Sequence, residues 1–402
     1  MAFSRLFRID SRNAQRFLLA SFFTALGTGA FSVLFGITVI QAGHSEQFLG
    51  SILAIGLLGT GIFSLPAGLL ADLWGRKKVL LLALALTSVG LIGQAISPIG
   101  SMTVGFSFLF GSGQGMLATV TMPILAENSP AGEQAYLFSL NYSLTMAAQV
   151  IGSLMAGQFP DWLTSHWSLL SFALLPFIAF LLAFSLVEQK EVGFGKAMHP
   201  KEFMSALQHS KIAKNVFIYN FLIGLGAGLV IPFFNIFLSQ KLNASITMVG
   251  TVMSVSQMGM ALSGLLAPFL MLSMGKVRSV VFFQLVSIPL LLMIAIPQSI
   301  EIVILSYILR NILMNMNNPI SGSFIMEITP IPLRATVSSL MGVAQNLSRA
   351  MSVSIGGWLM GTMGYSVPYF VTAFLYLVAS VFYWYAFADP EKELVKKSRI
   401  ES

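Results

Sequence analysis

Two arginines lie inside apolar segments of the sequence, where a charged side chain needs a specific reason. A guanidinium near the centre of a membrane costs about 2.5–3.5 kcal/mol, so we expect it to face water, a polar partner or a bound anion. At the rise of an α-helix, Arg310 lies about seven residues, or roughly 10 Å, from the outer end of its segment, and we expect Arg349 at roughly the same depth. The pair predicts binding of an anionic group; the alternative is that each guanidinium bonds only to neighbouring carbonyls and amides.

Uncharged polar side chains concentrate in the same kind of segment and favour ligand binding over catalysis. One stripe, spaced by three and four residues along the segment near 102–126, lies on a single helical face: Ser107, Gly111, Gln114, Ala118 and Thr121. Further polar positions lie in five other segments: Ser21, Thr24, Thr28, Tyr142, Thr145, Gln149, Tyr219, Asn220, Asn235, Asn311, Asn315, Asn317, Asn318, Ser321, Gln345 and Asn346. We expect five residues to contact a ligand: Gln114, Asn220, Arg310, Asn311 and Arg349.

Carboxylate, imidazole and thiol side chains are missing from the interior of these segments. All 15 Asp and Glu residues lie in loops, tails or segment ends, the four histidines lie outside the segments, and the chain has no cysteine. Proton carriers and sites for cationic ligands usually need a buried carboxylate, and shared acid–base chemistry needs a cluster at one depth. We therefore expect no enzymatic activity, no cofactor and no metal, and we leave a coupling ion open.

Twelve apolar segments position these residues. Charged residues make up 9% of the chain and apolar residues 56%, against roughly 25% and 45–50% in soluble domains. With about 20 apolar residues needed for each crossing, the segments lie near 15–40, 47–70, 79–97, 102–126, 135–158, 168–187, 215–239, 247–272, 279–297, 302–326, 336–360 and 366–387. The sequence predicts an all-α polytopic membrane protein.

Basic residues set the orientation of the segments. Of the 22 Lys and Arg residues, 19 lie in alternate connections, while Lys241 is the one basic residue of the intervening connections. Cationic loops stay cytoplasmic, so we expect a cell-membrane protein with both termini in the cytoplasm. This topology also accounts for the net charge of +7 without a nucleic-acid partner.

The two halves of the sequence repeat at an offset of about 200 residues. The clearest match pairs Glu127, Pro130, Ala135, Ser139 and Leu140 with Glu327, Pro330, Ala335, Ser339 and Leu340. The longest polar interruption separates the halves, which predicts a bundle over 1–187, a cytoplasmic linker over 188–214, and a second bundle with a tail over 215–402. Six crossings return the chain to its starting side, so the two six-helix bundles are expected to be pseudo-symmetric.

The connection between the second and third segments carries a recognisable motif. Its matching positions are Gly68, Leu70, Ala71, Asp72, Gly75, Arg76, Lys77 and Leu80, with Leu73 where Arg is frequent. This pattern resembles the cytoplasmic signature G-x-L-A-D-R-x-G-R-K-x-x-L of the major facilitator superfamily. The alternative is that the basic residues only set topology.

The resemblance implies an inner gate. Glu127 with Pro130, and Glu327 with Pro330 and Arg334, resemble the E-x-x-P-x-x-x-R element, with Gln134 in place of the first-half cation. The implied gate residues are Gly68, Asp72, Gly75, Arg76, Lys77, Glu127, Glu327 and Arg334. We expect both glutamates to pair with Arg76 or Arg334 instead of carrying protons.

The resemblance also implies a function. It indicates a monomeric secondary transporter that moves a small neutral or anionic amphiphile by alternating access, and compact relatives of this size favour export. A lipid or lipid-precursor translocator, and a membrane sensor that binds a ligand without moving it, are the alternatives.

Overall fold

The computed structural model describes residues 11–97, 100–128, 134–158, 165–187, 210–296, 299–330 and 333–401, and the regular structure of these residues is helical throughout. The first six helices are α1 (Arg12–Gln41), α2 (Glu46–Trp74), α3 (Arg76–Ile96), α4 (Ser101–Glu127), α5 (Gln134–Gln158) and α6, which is split into Ser165–Ala173 and Leu175–Phe184. The second six are α7 (Lys211–Lys241), α8 (Ile246–Met274), α9 (Lys276–Ala295), α10 (Ile300–Ile328), α11 (Arg334–Met363) and α12 (Val367–Glu401).

A helix lies at each of the twelve predicted positions. Among the described residues, nine contain a stretch long and apolar enough to cross a membrane by length and composition. The three that do not, α5, α10 and α11, carry much of the polar sequence identified above. Their amides, hydroxyls and guanidinium groups lower the mean hydropathy without breaking the helices, which extend over 25, 29 and 30 residues.

The end of α7 departs from regular α-helix. After Val230 the chain makes a 3₁₀ turn over Ile231–Phe233 and a π turn over Phe237–Lys241. Pro232, inside the 3₁₀ turn, has no N–H to donate to the helix ladder, which explains the local change of pitch. The irregular stretch remains helical, so α7 keeps its length.

The described chain divides into two compact units. Unit 1 comprises 1–42, 55–197 and 246–254, and unit 2 comprises 43–54, 198–245 and 255–402. The first turns of α2 therefore belong to unit 2, and the first turns of α8 belong to unit 1. The boundaries 1–187, 188–214 and 215–402 stay a prediction, because residues 188–209 lie outside the described ranges.

The first turns of α8, which belong to unit 1, and the first turns of α2, which belong to unit 2, make equivalent contacts. In unit 1, Thr247 Oγ1 donates to Gly157 O at 2.7 Å, and a Cβ on Gly250 would lie 2.6 Å from Ser153 O. In unit 2, a Cβ on Gly50 would lie 2.8 Å from Val353 O. Glycine permits this close approach of helix backbones. The crossing of α2 with α11 at Gly50 therefore recurs, 200 residues later, as the crossing of α8 with α5 at Gly250.

A polar contact also holds the start of α2 within unit 2. The hydroxyl of Tyr365, in the turn before α12, donates to Glu46 Oε1. Burial and the neighbouring carboxylate raise the pKa of Tyr365 well above its usual range. The phenol is therefore neutral, and able to donate, at physiological pH.

The internal repeat extends to single backbone angles. The turn before α3 contains Gly75 at φ 92°, and the turn before α9 contains Gly275 at φ 85°. Gly43 at φ 86° corresponds to Asn243 at φ 52°. Left-handed conformations are uncommon, so their recurrence at an offset of 200 is structural support for duplication.

Each unit packs its helices in the same way. In unit 1, α1 lies against α5 and α6, and α3 lies against α4 and α6; in unit 2, α7 lies against α11 and α12, and α9 lies against α10 and α12. The α2–α4 contact is very close, because a Cβ on Gly111 would lie 1.7 Å from Gly56 O. At the matching position of unit 2, Asn311 Nδ2 donates to Ser256 Oγ at 2.9 Å.

Candidate functional site: a polar cavity in unit 1 and two arginines in unit 2

Residues of unit 1 line an open cavity of about 390 Å³, within the roughly 300–1,000 Å³ range of small-molecule sites. Helices α1, α3, α4 and α5 supply its walls. The lining residues are Phe17, Ala20, Ser21, Thr24, Ala25, Thr28, Leu80, Leu84, Gln114, Leu117, Ala118, Thr121, Asn141, Thr145 and Gln149. Eight of these fifteen carry a polar side chain, and all fifteen are uncharged.

The hydroxyl groups of the cavity wall present mainly acceptor oxygens. Thr24 Oγ1 donates to Ala20 O at 2.8 Å, and Thr121 Oγ1 donates to Leu117 O at 2.7 Å. Thr145 Oγ1 donates to a carbonyl of its own helix in the same way. A hydroxyl whose proton is used by the helix still has a lone pair, so these positions accept bonds from a ligand donor.

The predicted stripe on α4 contributes part of this wall. Gln114, Ala118 and Thr121 line the cavity, as do the predicted polar positions of α1 and two of those on α5. Gln114 Nε2 lies 3.5 Å from Thr87 Oγ1. Ser107 and Gly111 instead face α2, where Ser107 is buried against Gly56. The stripe thus divides between helix packing and the cavity.

Asn141 is a cavity residue that the sequence analysis missed. Its side chain is 8% exposed, and its Oδ1 has no hydrogen-bond partner among the described residues. The sequence contains a usable signal, because Asn141, Thr145 and Gln149 are spaced by four residues on one face of α5. A buried, unpaired carbonyl oxygen in a cavity wall requires a donor from water or ligand.

Asn220 lies in unit 2 and is fully engaged with protein. Its Nδ2 donates to Val216 O at 2.8 Å, and its Oδ1 accepts from Gln345 Nε2 at 2.8 Å. Deeper in the same unit, Gln284 Nε2 donates to the hydroxyl of Tyr219, and both residues are buried. The predicted contact between Asn220 and a ligand therefore stays a prediction.

Arg310 and Asn311 are also buried by protein. Arg310, 2% exposed, donates from Nη1 to Asn311 Oδ1 at 2.8 Å and from Nη2 to the Tyr376 hydroxyl at 2.7 Å. Its guanidinium carbon lies 5.4 Å from the centre of the Tyr376 ring. Arg310, the residue expected to contact an anionic ligand, is thus held inside unit 2. Its partner Tyr376 lies on α12, 66 residues further along the chain, and the sequence pattern does not reveal that contact.

Arg349 has different surroundings. It is partly exposed, and its guanidinium makes no hydrogen bond or ion pair with the described residues. It lies within electrostatic range of Arg310 and Tyr376, so the structure brings the two arginines into one region of unit 2. Of the two, Arg349 is the more exposed, and its predicted contact with a solute stays a prediction.

Each unit has an ion pair that contains one of the two predicted gate glutamates. Gly75 turns the chain so that Arg76 enters α3 beside the end of α4, and Arg76 pairs there with Glu127; each side chain is 8% exposed. Two hundred residues later Lys276 pairs with Glu327, and these side chains are 21% and 42% exposed. Both pairs join the start of one helix to the end of the next.

Glu327 pairs with Lys276, which is not among the expected partners Arg76 and Arg334. Arg334 is exposed and donates from Nε to Thr329 O at 3.2 Å, while Lys276, in the first turn of α9, reaches Glu327. Lys77 Nζ lies 5.7 Å from the centre of the Phe184 ring, which anchors the basic turn on α6.

The two remaining gate positions lie near the end of α2. A Cβ on Gly68 would meet Thr119 at an ordinary 3.8 Å. The side chain of Asp72 lies outside the described structure. The gating roles of Gly68 and Asp72 stay predictions.

Comparison with known proteins decides the family. The model of the Major Facilitator Superfamily matches residues 17–212 and 216–402. The chain belongs to this superfamily. The predicted family and fold class are thereby confirmed, and the protein is a multi-pass membrane protein of a transporter family.

The superfamily relatives differ in how much of the chain they match. A multi-drug resistance efflux pump PmrA homolog of Lactococcus lactis subsp. lactis (strain IL1403) is 22% identical over 371 residues, which is 90% of each chain. The arabinose-proton symporter of Bacillus subtilis (strain 168) is 25% identical over 201 residues, 47% of this chain and less than half, 42%, of that relative.

Solved superfamily structures share the fold over nearly the whole chain. The nucleoside transporter NupG superposes with a TM-score of 0.80 at 14% identity, covering 94% of this chain and 99% of that one. A D-xylose-proton symporter gives a TM-score of 0.69 at 16% identity, covering 92% and 95%.

Proposed function

We propose that this protein is a secondary transporter that moves a small neutral or anionic amphiphile across the cell membrane by alternating access, in the direction of export. Residues 1–187 and 215–402 are the two transport domains, and 188–214 is the linker. Both termini are cytoplasmic, and the chain acts as a monomer without enzymatic activity or cofactor.

The uncharged cavity of unit 1 carries this proposal. Its fifteen lining residues include apolar side chains, hydroxyls and amides without a carboxylate. A cationic solute in such a site would lose water without gaining a counter-charge, which is costly in a low-dielectric environment. A neutral solute with a few N–H or O–H donors matches the acceptor oxygens. Among these, Asn141 Oδ1 is buried and has no hydrogen-bond partner among the described residues, so it has the greatest need of a donor.

The charge of unit 2 extends the proposal to anions. Arg349 is partly exposed and makes no hydrogen bond or ion pair with the described residues. A guanidinium in a membrane segment favours a negatively charged group on the solute. Export is supported by the efflux pump homolog, which matches nine-tenths of both chains.

A second candidate is uptake of a neutral sugar-like solute. The cavity wall favours it, because sugar hydroxyls are good donors to the acceptor oxygens described above. Relatives named as arabinose and D-xylose transporters match about half of this chain. Uptake driven by an imposed gradient, with no export under the reverse gradient, would favour this candidate.

The test is transport by purified protein in lipid vesicles. A panel of neutral, anionic and cationic solutes and labelled phospholipids is assayed, with pH and sodium gradients imposed separately. We expect transport of neutral or anionic solutes and not of cations. Asn141→Leu should lower the rate at least about tenfold, because the lost acceptor is worth about 1–3 kcal/mol.

The matched control is Tyr142→Phe, one residue further along α5. Tyr142 is 55% exposed and does not line the cavity, so this change should leave transport unaltered. Selective transport of cations, or equal rates in Asn141→Leu and wild type, would overturn the proposal. Movement of labelled phospholipid would favour the lipid translocator.

A further inference from the structure

Unit 2 contains a second, much smaller cavity beside Arg310. Its volume is about 10 Å³, which is room for about one water-sized particle. Five of its lining residues are apolar: Val230, Ile231, Phe234, Leu291 and Ile294. The other three are Tyr307, Arg310 and Tyr369. The cavity lies wholly within unit 2 and is separate from the large cavity of unit 1.

Two polar atoms in this wall lack partners. Nε of Arg310 and the hydroxyl of Tyr369 have no hydrogen bond among the described residues. Arg310 is 2% exposed and Tyr369 is 1% exposed. The other guanidinium nitrogens of Arg310 are already bonded to Asn311 and Tyr376. One small species in the cavity would serve both unpaired groups, and the remaining wall offers it only apolar contact apart from Tyr307.

The positive charges near this cavity determine which small species can occupy it. Arg349 lies within electrostatic range of Arg310, so two positive charges repel each other there. The ion pairs of the described chain involve other residues, so neither guanidinium has a carboxylate partner in that part of the protein. A cation is excluded by this repulsion and by the donor N–H. Water satisfies the hydrogen bonds but leaves both charges uncompensated.

We propose that this cavity is a binding site for a monatomic anion, with chloride as the physiological occupant. The Arg310 Nε–H and the Tyr369 O–H donate to the ion, and the apolar walls exclude larger, hydrated anions. Arg349 contributes long-range attraction from its more exposed position. The site is independent of the solute that the protein transports.

The test is anion-dependent stability of the full-length protein, purified and kept in sodium gluconate. Chloride or bromide is titrated at constant ionic strength while thermal unfolding is followed. We expect the midpoint to rise with chloride and bromide but not with added gluconate or sulfate, because a ligand that binds only the native state stabilises it. In Tyr369→Phe the half-maximal chloride concentration should rise at least about tenfold, as expected for loss of a charge-assisted hydrogen bond.

Tyr383→Phe is the matched control. The Tyr383 hydroxyl is also buried and unpaired among the described residues, but it lies against Tyr219 and Phe387 and does not line this cavity. Its chloride response should equal that of the wild type. An anion-independent midpoint in the wild type, or the same half-maximal concentration in Tyr369→Phe, would assign the cavity to water. Bromide anomalous scattering beside Arg310 in a crystal would locate the ion directly.

Discussion

The two intramembrane arginines show that one residue type can have two tasks in one region. Arg310 is held by Asn311 and Tyr376, so its position is fixed by protein. Arg349 is partly exposed and makes no such bond with the described residues. The energetic argument that a guanidinium in a membrane must find a partner applies to both. For Arg310 the partners are on α10 and α12, whereas for Arg349 we expect the partner to be the solute.

Replacing Arg349 by Gln is therefore expected to change selectivity. Transport of anionic solutes should fall at least about tenfold, since a charge-assisted hydrogen bond is worth about 1.5–3 kcal/mol. Transport of neutral solutes should stay within about twofold, a difference below about 0.5 kcal/mol in transition-state stabilisation. Initial rates of both solute classes in the same vesicles provide the measurement. An equal loss for both classes would point to a folding defect, and no loss for anions would remove Arg349 from the site.

Sequence alone predicts the types of these residues but not their partners. The polar character of α10 is evident, and it suggested a cavity wall. The structure shows that Asn311 Nδ2 donates to Ser256 Oγ on α8 and that Asn315 Nδ2 donates to Met260 Sδ on the same helix. These amides join helices, and their partners depend on tertiary packing. Asn141 shares a face of α5 with Thr145 and Gln149, but the spacing alone does not show which helices that face meets.

At the scale of elements, the start of α3 and the end of α4 are joined by a buried ion pair. The equivalent pair between α9 and α10 is more exposed, and it uses Lys276 where the first half has Arg76. Buried pairs depend strongly on both partners, because removing one leaves the other charge without compensation. Exposed pairs are worth little. The two halves thus hold the same connection with different strength.

Glu127→Gln should lower the free energy of unfolding by about 3 kcal/mol, the usual cost of breaking a buried pair. Glu327→Gln, at the equivalent position in α10, should cost at most about 1 kcal/mol because its pair is exposed. Denaturant unfolding in mixed micelles compares the two variants with the wild type. Equal losses would show that burial does not distinguish the pairs, and the assignment of Arg76 and Glu127 to a stronger lock would fail.

Helix positions were the most predictable level of structure. Apolar length, positive-inside loops and the glycine-containing turns all point to the same twelve elements, and each helix except α12 lies within about four residues of its predicted span. Lengths at the ends were less predictable. The last span was expected to end near 387, but α12 continues to Glu401 through Pro390. Polar sequence gives no hydropathy signal for such an extension.

At the scale of the whole molecule, a duplicated chain has diverged in its interior. Unit 1 has an open cavity where unit 2 has hydrogen-bonded side chains. In unit 2 the filling residues are Tyr219, Gln284, Asn220 and Gln345. The equivalent positions in unit 1, at an offset of 199 between α1 and α7 and of 200 elsewhere, hold Ala20, Leu84, Ser21 and Thr145 in the same order. These four residues line the cavity. Ala20, Ser21 and Thr145 are smaller than their counterparts in unit 2, and Leu84 replaces the hydrogen-bonding amide of Gln284 with an apolar side chain; these differences account for the space in unit 1.

This comparison predicts how to close the cavity. The double change Ser21→Asn and Thr145→Gln copies the bonded pair of unit 2 into unit 1 and should lower solute transport at least about tenfold, as expected when about 1.4 kcal/mol or more of binding is lost. Thr121→Ser, which also copies unit 2, barely changes volume and should leave transport intact. Vesicle rates and thermal unfolding are measured for both variants. A folded double variant with normal transport would show that the solute binds elsewhere.

The tail of the protein has a practical consequence for anyone who wishes to shorten it. Glu391, four residues after Phe387 in α12, accepts from the backbone N–H of Lys276 at 2.6 Å and of Val277 at 3.1 Å. It thereby supplies the acceptor that the first turn of α9 needs and offsets the positive end of the helix dipole. A truncation placed just after the hydrophobic stretch would look harmless by hydropathy, yet it would uncap a different helix. Tags and deletions should therefore begin beyond this carboxylate.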